Sequence, residues 1–333
     1  MCHCLAKSGA LCNIYERKGF LYDEGMSLGE LESFVREGFL GETIFTFEHP
    51  KNYVYLPENG RKIGFLVYEF TELPPIWVEN INKYLDLVFV PSLFVYETFL
   101  TSGVKKDKLR ILRYGFNPVF YHPGPKEEGN FRFLCIGSAQ KREGVDILLS
   151  AFEEAFRDIS EVSLTIKLSY KRANPKIFEL RGFEGLIEDY KKMLGRRLSV
   201  LDSPLSEEEM GNLYRCCHAY VSFSRAEAFG LSFLEALACG RPCISVNYSG
   251  QKDFLNRDNS YFVSHSLEIC KNEEYESSGC KQFSAVAHRD CAVKTLREVF
   301  LASKDGNIKK GFFSEGEQYY HWEKITMEFL SMI

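Results

Sequence analysis

Short apolar runs alternate with longer mixed segments along almost the whole chain. Runs this brief, bounded by turn residues and rich in Val, Ile, Leu and Phe, predict buried strands, and the segments between them predict crossover helices. In the first half, strands are expected at 11–15, 43–47, 63–68, 87–90 and 109–113. In the second half they are expected at 131–136, 163–168, 198–201, 219–223 and 242–246. Such alternation gives an α/β protein with parallel sheets. Between the two sets, Asn117-Pro118 through Gly129-Asn130 crowds prolines, glycines and polar residues, which is linker composition. A chain of 333 residues exceeds what one core usually serves. Two doubly wound domains are therefore expected, residues 1–122 and 123–315, with 316–333 as a closing helix at their junction. The polar, irregular stretch 271–282 predicts a surface insertion.

The N-terminal domain opens unusually. Leu5-Ala6-Lys7-Ser8-Gly9 reads as the end of a helix, with Lys in the last turn and Gly as the stop. A doubly wound domain normally begins with a strand and a tight glycine turn before its first helix. On this reading the domain lacks its opening strand and the chain starts inside its first helix. The alternative, a frayed arm over residues 1–5 on a variant domain, is equally open.

Composition narrows the partners. There are 41 Lys plus Arg against 46 Asp plus Glu, a net charge of −5, which argues against a dedicated nucleic-acid binder. No run approaches the ~18 apolar residues of a membrane span, and the N-terminus lacks a signal-peptide profile. A cytoplasmic location is expected. Eleven cysteines invite a metal or disulfide reading. However, Cys2 and Cys4 are too close for a zinc pair, and Cys216 and Cys217 are adjacent. Cys135 and Cys243 lie in apolar runs, where a thiol acts as a small hydrophobe. Reduced structural cysteines and no metal are expected.

The stretch from Ala219 to Gly240 carries the most chemistry. Residues 219–223 read as a buried strand, 224–229 as a turn at its carboxyl end, and 231–239 as a short apolar helix closed by Gly240. Gly230 leaves room for a ligand to approach the backbone. The amides of Gly230, Leu231 and Ser232 then point out of a helix N-terminus, a ready anion site. Glu227 precedes the turn and Glu235 lies inside the helix. A carboxylate accepts two hydroxyl hydrogen bonds and so suits a sugar diol.

These residues resemble a known family. Two glutamates separated by seven residues around Phe-Gly, followed by Glu-Ala-Leu-Ala-Cys-Gly-Arg-Pro, look like the signature of retaining glycosyltransferases of the GT-B fold. The resemblance is to the group that includes sucrose synthases, bacterial-type glycogen synthases and lipopolysaccharide or mannosyl transferases. Ile63-Gly64-Phe65 to Glu69, Leu73-Pro74, Val90-Pro91-Ser92 and Gly115-Phe116-Asn117 resemble its N-terminal half. Residues 133–152, 202–214 and Gly250-Gln251-Lys252-Asp253-Phe254 resemble its C-terminal half, and Tyr319-Tyr320-His321-Trp322 its closing helix.

The resemblance implies two Rossmann-like domains facing a cleft, and a role for each matching residue. Glu227 would contact the donor sugar near the reacting carbon. The amides around Phe229, Gly230 and Leu231 would meet sugar and phosphate, and Glu235 would bind the nucleotide ribose. Gly137 opens a loop, 137–144, that matches the family's diphosphate loop. Here the chain departs from the pattern, with Ser138 and Glu143 where the family usually carries basic residues. Lys141 and Arg142 would substitute, and Lys167 at a strand end would add a third charge. In the first domain Glu69 would face the cleft, and His49 would orient the acceptor or help stabilise positive charge on the donor ring.

Each assignment has a plainer structural counterpart. Glu227 and Glu235 could instead be solvated charges, against the flanking match, Gly230 a turn glycine, and Lys141-Arg142 an exposed basic pair. His49 beside Pro50 reads as a turn residue, Glu69 as an ion-pair partner, and Lys167 as a surface lysine at a strand end. His321-Trp322 reads as helix packing. Glu207-Glu208-Glu209 after Ser206 is a capped helix start with no assigned chemistry.

The function implied is transfer of a hexose from a UDP- or GDP-sugar to a hydroxyl acceptor, such as a glycan or lipid-linked sugar, with retention at the anomeric carbon. It needs neither metal nor cofactor, and it leaves room for peripheral membrane contact on the cytoplasmic face. Ser138, Glu143 and the absent opening strand motivate a competing reading, a non-catalytic GT-B binding subunit. A sugar-nucleotide epimerase or a phosphorylase is a third and weaker reading.

Overall fold

The structure, a computed structural model, describes residues 2–9, 42–124, 129–138, 140–168, 180–270, 280–311 and 317–333. The strand expected at 11–15 lies outside these residues, as does most of the expected insertion. Among the described residues of the first half, four parallel strands run in chain order: β1 (Thr43–Thr46), β2 (Arg61–Phe65), β3 (Leu87–Val90) and β4 (Leu109–Ile111). Helices α1 (Cys2–Lys7), α2 (Pro75–Tyr84) and α3 (Leu93–Ser102) accompany them.

The second half holds a six-stranded parallel sheet. It comprises β5 (Phe131–Gly137), β6 (Val162–Leu168), β7 (Leu198–Leu201), β8 (Ala219–Val221), β9 (Cys243–Val246) and β10 (Ser260–Val263). Its spatial order is β10-β9-β8-β5-β6-β7. The winding therefore reverses between β5 and β8. Ligands in open α/β sheets settle outside the strand ends at such a switch point, and both loops singled out in the sequence, 137–144 and 224–229, leave there.

Strands β8 and β9 are buried throughout, and β5 and β6 largely so, because both faces of the sheet are covered. On one face Phe133, Leu164 and Val221 pack beneath α4 (Val145–Phe156) and α8 (Arg289–Lys304), meeting Phe152, Phe156, Leu296 and Phe300. On the other, Leu134 and Tyr220 meet Phe233 and Leu237 of α7 (Leu231–Ala238). Helices α5 (Leu180–Leu194) and α6 (Glu207–Cys216) complete the layers. Ser206 and Glu209 form the expected capping box on α6. The last helix, α9 (Trp322–Met332), returns to the first half, where Ile325 and Phe329 pack with Ile63, Phe65, Leu87 and Phe89, and with Leu5 of α1.

Three sequence expectations need correction. The strand expected at 63–68 ends at Phe65, with one last bond from Leu66 N–H to Phe89 O, and the side chains of Leu66 and Tyr68 fill a second core with Trp77, Val95 and Phe99. An antiparallel pair, β11 (His265–Ile269) and β12 (Phe283–Ala287), was not foreseen, and neither was β10. Gln282, at the end of the expected surface insertion, is 1% exposed. It lies buried because the start of β12 is tied to the loop after β2, as described below.

Helix α4 starts close against the β8 loop, and Gly144 makes this possible. Its φ is +68°, and a Cβ there would lie 2.0 Å from the Phe223 carbonyl oxygen. Strain and overlap act together, so Gly144→Ala is expected to lower stability by roughly 2 kcal/mol or more in urea unfolding. A change within about 0.5 kcal/mol, ordinary for a surface site, would refute that packing argument.

Candidate active site

The β8 loop is held from both sides. Ser222 N–H still donates to Ile244 O at 3.0 Å, after which the chain turns outward. Ser249 Oγ accepts from Glu227 N–H at 2.9 Å, and Gly250 N–H donates to Glu227 O at 2.9 Å. Gly230 ends the loop at φ +90°, and a Cβ there would lie 3.0 Å from the Phe233 ring and 3.1 Å from Gln251 Cβ. Only glycine suits that backbone. Helix geometry leaves the amides of Leu231 and Ser232 without intrahelical partners. Phe233 is the first to bond back, to Gly230 O at 3.0 Å. Leu231 is exposed and Ser232 half-buried, so this helix start faces open space. Phe229 is buried between Tyr114 and Phe254, its ring centroid 5.5 Å and 5.1 Å from theirs.

Opposite it, the 137–144 loop supplies the cation. The Arg142 guanidinium donates to Glu143 Oε1 at 2.6 Å and to Ala226 O at 2.7 Å, and lies 3.8 Å from Glu227 Oε1. The Arg142 and Glu227 side chains keep 22% and 21% exposure, so the pair opens onto the cleft. Glu143 turns inward. Its Oε1 accepts from Ser138 Oγ at 3.3 Å, and its Oε2 lies 3.3 Å from where a Cβ on Gly137 would be. Lys141 is exposed beside them, with its carbonyl accepting from the Arg225 guanidinium. That guanidinium is anchored on Asp146 at 2.8 Å.

Lys167 is buried, contrary to its plainer reading as a surface lysine. It pairs in register with Ile136 and donates from Nζ to Leu168 O at 2.7 Å. Burial lowers its pKa, and the Asp202 carboxylate opposes that shift.

Glu69 stands on the loop beyond β2, half-buried, and its charge acts on the same cluster from the first half. Desolvation is the main force raising the Glu227 pKa to about 7. Arg142 and a hydrogen bond with Ser224 lower it, while the Glu143 and Glu69 carboxylates raise it further. Burial opposes the charge on Arg142, yet Glu143, Glu227 and Glu69 together raise its pKa. Glu143 is raised chiefly by burial, against the pull of Arg142.

Glu235 forms a second station. Its Oε2 accepts from Tyr214 O–H at 2.8 Å. Burial raises its pKa to about 7 against the hydrogen bonds from Tyr214 and Tyr121, and Glu207 adds to the rise. His49 is the cap of a 3₁₀ turn, Pro50–Tyr55. Its Nδ1 accepts from Lys51 N–H at 3.2 Å, and its ring stands edge-on to Trp77 at 4.4 Å. The structure thus gathers Glu69, Gly137, Arg142 and Glu227 around one opening. Lys167 lies one strand away, and His49 serves its own turn.

Sequence reasoning missed several supports. Ser92 Oγ donates to Ala228 O at 2.6 Å across the two halves. Ser249 holds Glu227 from a strained backbone at φ 63°. Tyr114, Tyr121 and Tyr214 line the two stations. Ser92, Tyr214 and Gly250 lay within segments quoted above, whereas Tyr114 and Tyr121 carried no local signal.

Glu227 and Glu235 retain protons near neutral pH that an unfolded carboxyl loses near 4.5. Their stabilising contribution is complete below the unfolded value and is lost as pH rises through about 7. The thermal midpoint is expected to fall between about pH 5 and 8. Glu227→Gln and Glu235→Gln should each flatten that slope relative to the parent chain. Parallel slopes would contradict the assignment.

Residues 130–269 match the family described as Glycosyl transferases group 1. A probable sucrose-phosphate synthase of Thermosipho melanesiensis is 24% identical over 238 residues, covering 68% of this chain and 48% of that protein. An alpha-galactosylglucosyldiacylglycerol synthase of Streptococcus pneumoniae is 24% identical over 212 residues, covering 55% and 53%. The chain therefore spans about half the length of the curated relatives it matches. Among solved structures, the sucrose-phosphate synthase of Thermosynechococcus elongatus superposes with a TM-score of 0.66 at 17% identity, covering 87% of this chain and 72% of that one. Anabaena HepE in complex with UDP-glucose superposes at 0.61 with 14% identity, covering 88% and 79%. With the two parallel sheets and the loops at their switch point, these likenesses identify a glycosyl transferases group 1 domain in a chain of the GT-B fold.

Proposed function

We propose that the chain is a retaining glycosyltransferase that moves a hexose from a UDP- or GDP-sugar to a hydroxyl acceptor, a glycan or a lipid-linked sugar. The observation that carries this reading is the meeting of Arg142, Glu227 and the open start of α7 at the switch point of the second sheet. The nucleotide would lie over that sheet with its ribose hydroxyls on Glu235, displacing or joining the tyrosine hydroxyls there. The diphosphate would meet the amides of Gly230, Leu231 and Ser232 together with Arg142, with Lys141 and Lys167 adding positive charge. Glu227 would hold the sugar near the reacting carbon, and Glu69 would face it from the acceptor side, near His49.

Positive charge grows on the sugar ring as the diphosphate leaves, and negative charge grows on the departing oxygen. Fixed carboxylates and amides aimed at those places stabilise the transition state more than the ground state. Charge stabilisation of this kind calls on no metal and no cofactor. The two halves, tied through Ser92 and Ala228, would exclude water around a bound donor. Acceptor chemistry, a cytoplasmic site of action with peripheral membrane contact, and domain limits at 122/123 and 315/316 belong to the same proposal. Among the described residues no helix is long and apolar enough to cross a membrane.

The test is release of nucleoside diphosphate from a panel of UDP- and GDP-hexoses by the full chain. Turnover of at least one donor is expected, and none with any donor would refute the reading. One observation favours a second reading, a binding subunit without donor chemistry. Glu143 places a carboxylate in the loop where the diphosphate would lie. A chain that binds nucleotide tightly and turns over no donor would establish that alternative.

A further inference from the structure

The segment that begins β12 ties together the two loops that carry Glu69 and Glu227. Gln282, buried, reaches from this segment to the loop after β2. Its Oε1 accepts from the amides of Thr71 at 3.1 Å and Glu72 at 3.3 Å. Its Nε2 donates to Tyr68 Oη at 3.1 Å and to Glu72 O at 2.5 Å. These four partners flank Glu69 on both sides. Neighbouring atoms extend the seam, with Lys281 N–H donating to Glu72 Oε2 at 2.9 Å and Phe283 N–H to Thr71 Oγ1 at 3.1 Å. Two residues further on, Ala285 N–H donates to Arg225 O at 2.8 Å, at the root of the Glu227 loop.

We propose that Gln282 is a positioning residue that fixes the Glu69 loop against the second half, so that Glu69 faces Arg142 and Glu227. One buried amide side chain satisfies two donors and two acceptors at once. Removing it takes the acceptor away from the Thr71 and Glu72 amides, while Glu72 O keeps its bond from Tyr68 O–H at 2.7 Å. The loop then has reason to leave, and Glu69 leaves with it. This inference deepens the transferase reading and rests on it only in its kinetic part.

The experiment compares the full chain with Gln282→Ala and Gln282→Glu. The Gln282→Glu variant keeps the volume and the oxygen toward Thr71 and Glu72 but loses both N–H donors. Hydrogen exchange at the Thr71 and Glu72 amides is expected to speed up at least tenfold in Gln282→Ala and less in Gln282→Glu. The Leu66 amide, bonded to Phe89 O, should be unchanged. Unchanged exchange at Thr71 and Glu72 would overturn the proposal.

With a donor that is turned over, kcat should fall at least tenfold in Gln282→Ala while donor KM stays within twofold. The loss should vanish when Glu69→Gln is already present. A loss that simply adds to that of Glu69→Gln would show a merely structural role and overturn the positioning claim. If no donor is turned over, the transferase reading fails by itself. The pH at which stability falls then decides the placement of Glu69. It should move lower in Gln282→Ala, as a carboxylate leaving Glu227 requires, and an unmoved profile would overturn the proposal.

Discussion

Glu227→Gln is expected to lower transfer from a nucleotide sugar by roughly 10²- to 10⁴-fold, with nucleotide affinity changed far less. The glutamine keeps the shape of the side chain and the backbone bonds through Ser249 and Gly250, so the loop should stay in place. It removes the negative charge that Glu227 carries when ionised, one of the groups there that would steady a positively charged sugar ring. That contribution exists only as charge develops, so the loss should appear in kcat rather than in donor KM. Initial rates across donor concentration, with the unfolding midpoint of the variant measured alongside, check this. A rise in KM with unchanged kcat would place Glu227 in binding and not in catalysis.

The second large effect has a sign test built into it. Arg142 faces three carboxylates, Glu69, Glu143 and Glu227, and its guanidinium is the cation nearest the proposed diphosphate position. A contact between unit charges at ~4 Å is worth roughly 4 kcal/mol at an effective dielectric of 20, before desolvation is subtracted. Arg142→Ala should therefore weaken UDP or GDP binding by about 10²-fold, which allows for solvent at this partly open pair. Glu143→Gln should act the other way. It removes a like charge from the diphosphate loop while an amide oxygen still accepts from Ser138, and about tenfold tighter binding is expected, or roughly 1.4 kcal/mol. Both are read by calorimetric titration. Weakening by both variants would mean that Glu143 holds the loop in shape and does not oppose the ligand.

The contrast between these residues shows what the sequence can carry. The β8–turn–α7 unit was legible because its determinants are contiguous, namely a buried run, a glycine that adopts φ +90° and an apolar helix. The winding of the second sheet followed from the same alternation of strand and crossover. Glu143 was legible as a departure from the pattern, but its inward turn depends on Ser138 and Arg142 closing around it. The partners of Glu235 were out of reach because Tyr214 and Tyr121 come from other segments. Lys167 looked like a surface charge because strand-end lysines usually are, and only the flanking strands bury it. The β11–β12 pair escaped because its strands are short, mixed in polarity and far apart in the chain. Gln282 carried no signal, because its role lies entirely in the loop it meets from the other half.

The central claim is that a nucleotide seats in the C-terminal half with its ribose on Glu235. Calorimetric titration of the full chain with UDP and with GDP, beside Glu235→Ala, tests it most directly. The account predicts saturable binding of at least one nucleotide, weakened by at least about tenfold in the variant, the loss of roughly 1.4 kcal/mol expected for a charged hydrogen-bond partner. Binding of neither nucleotide, or equal affinity with and without the Glu235 carboxylate, would contradict it.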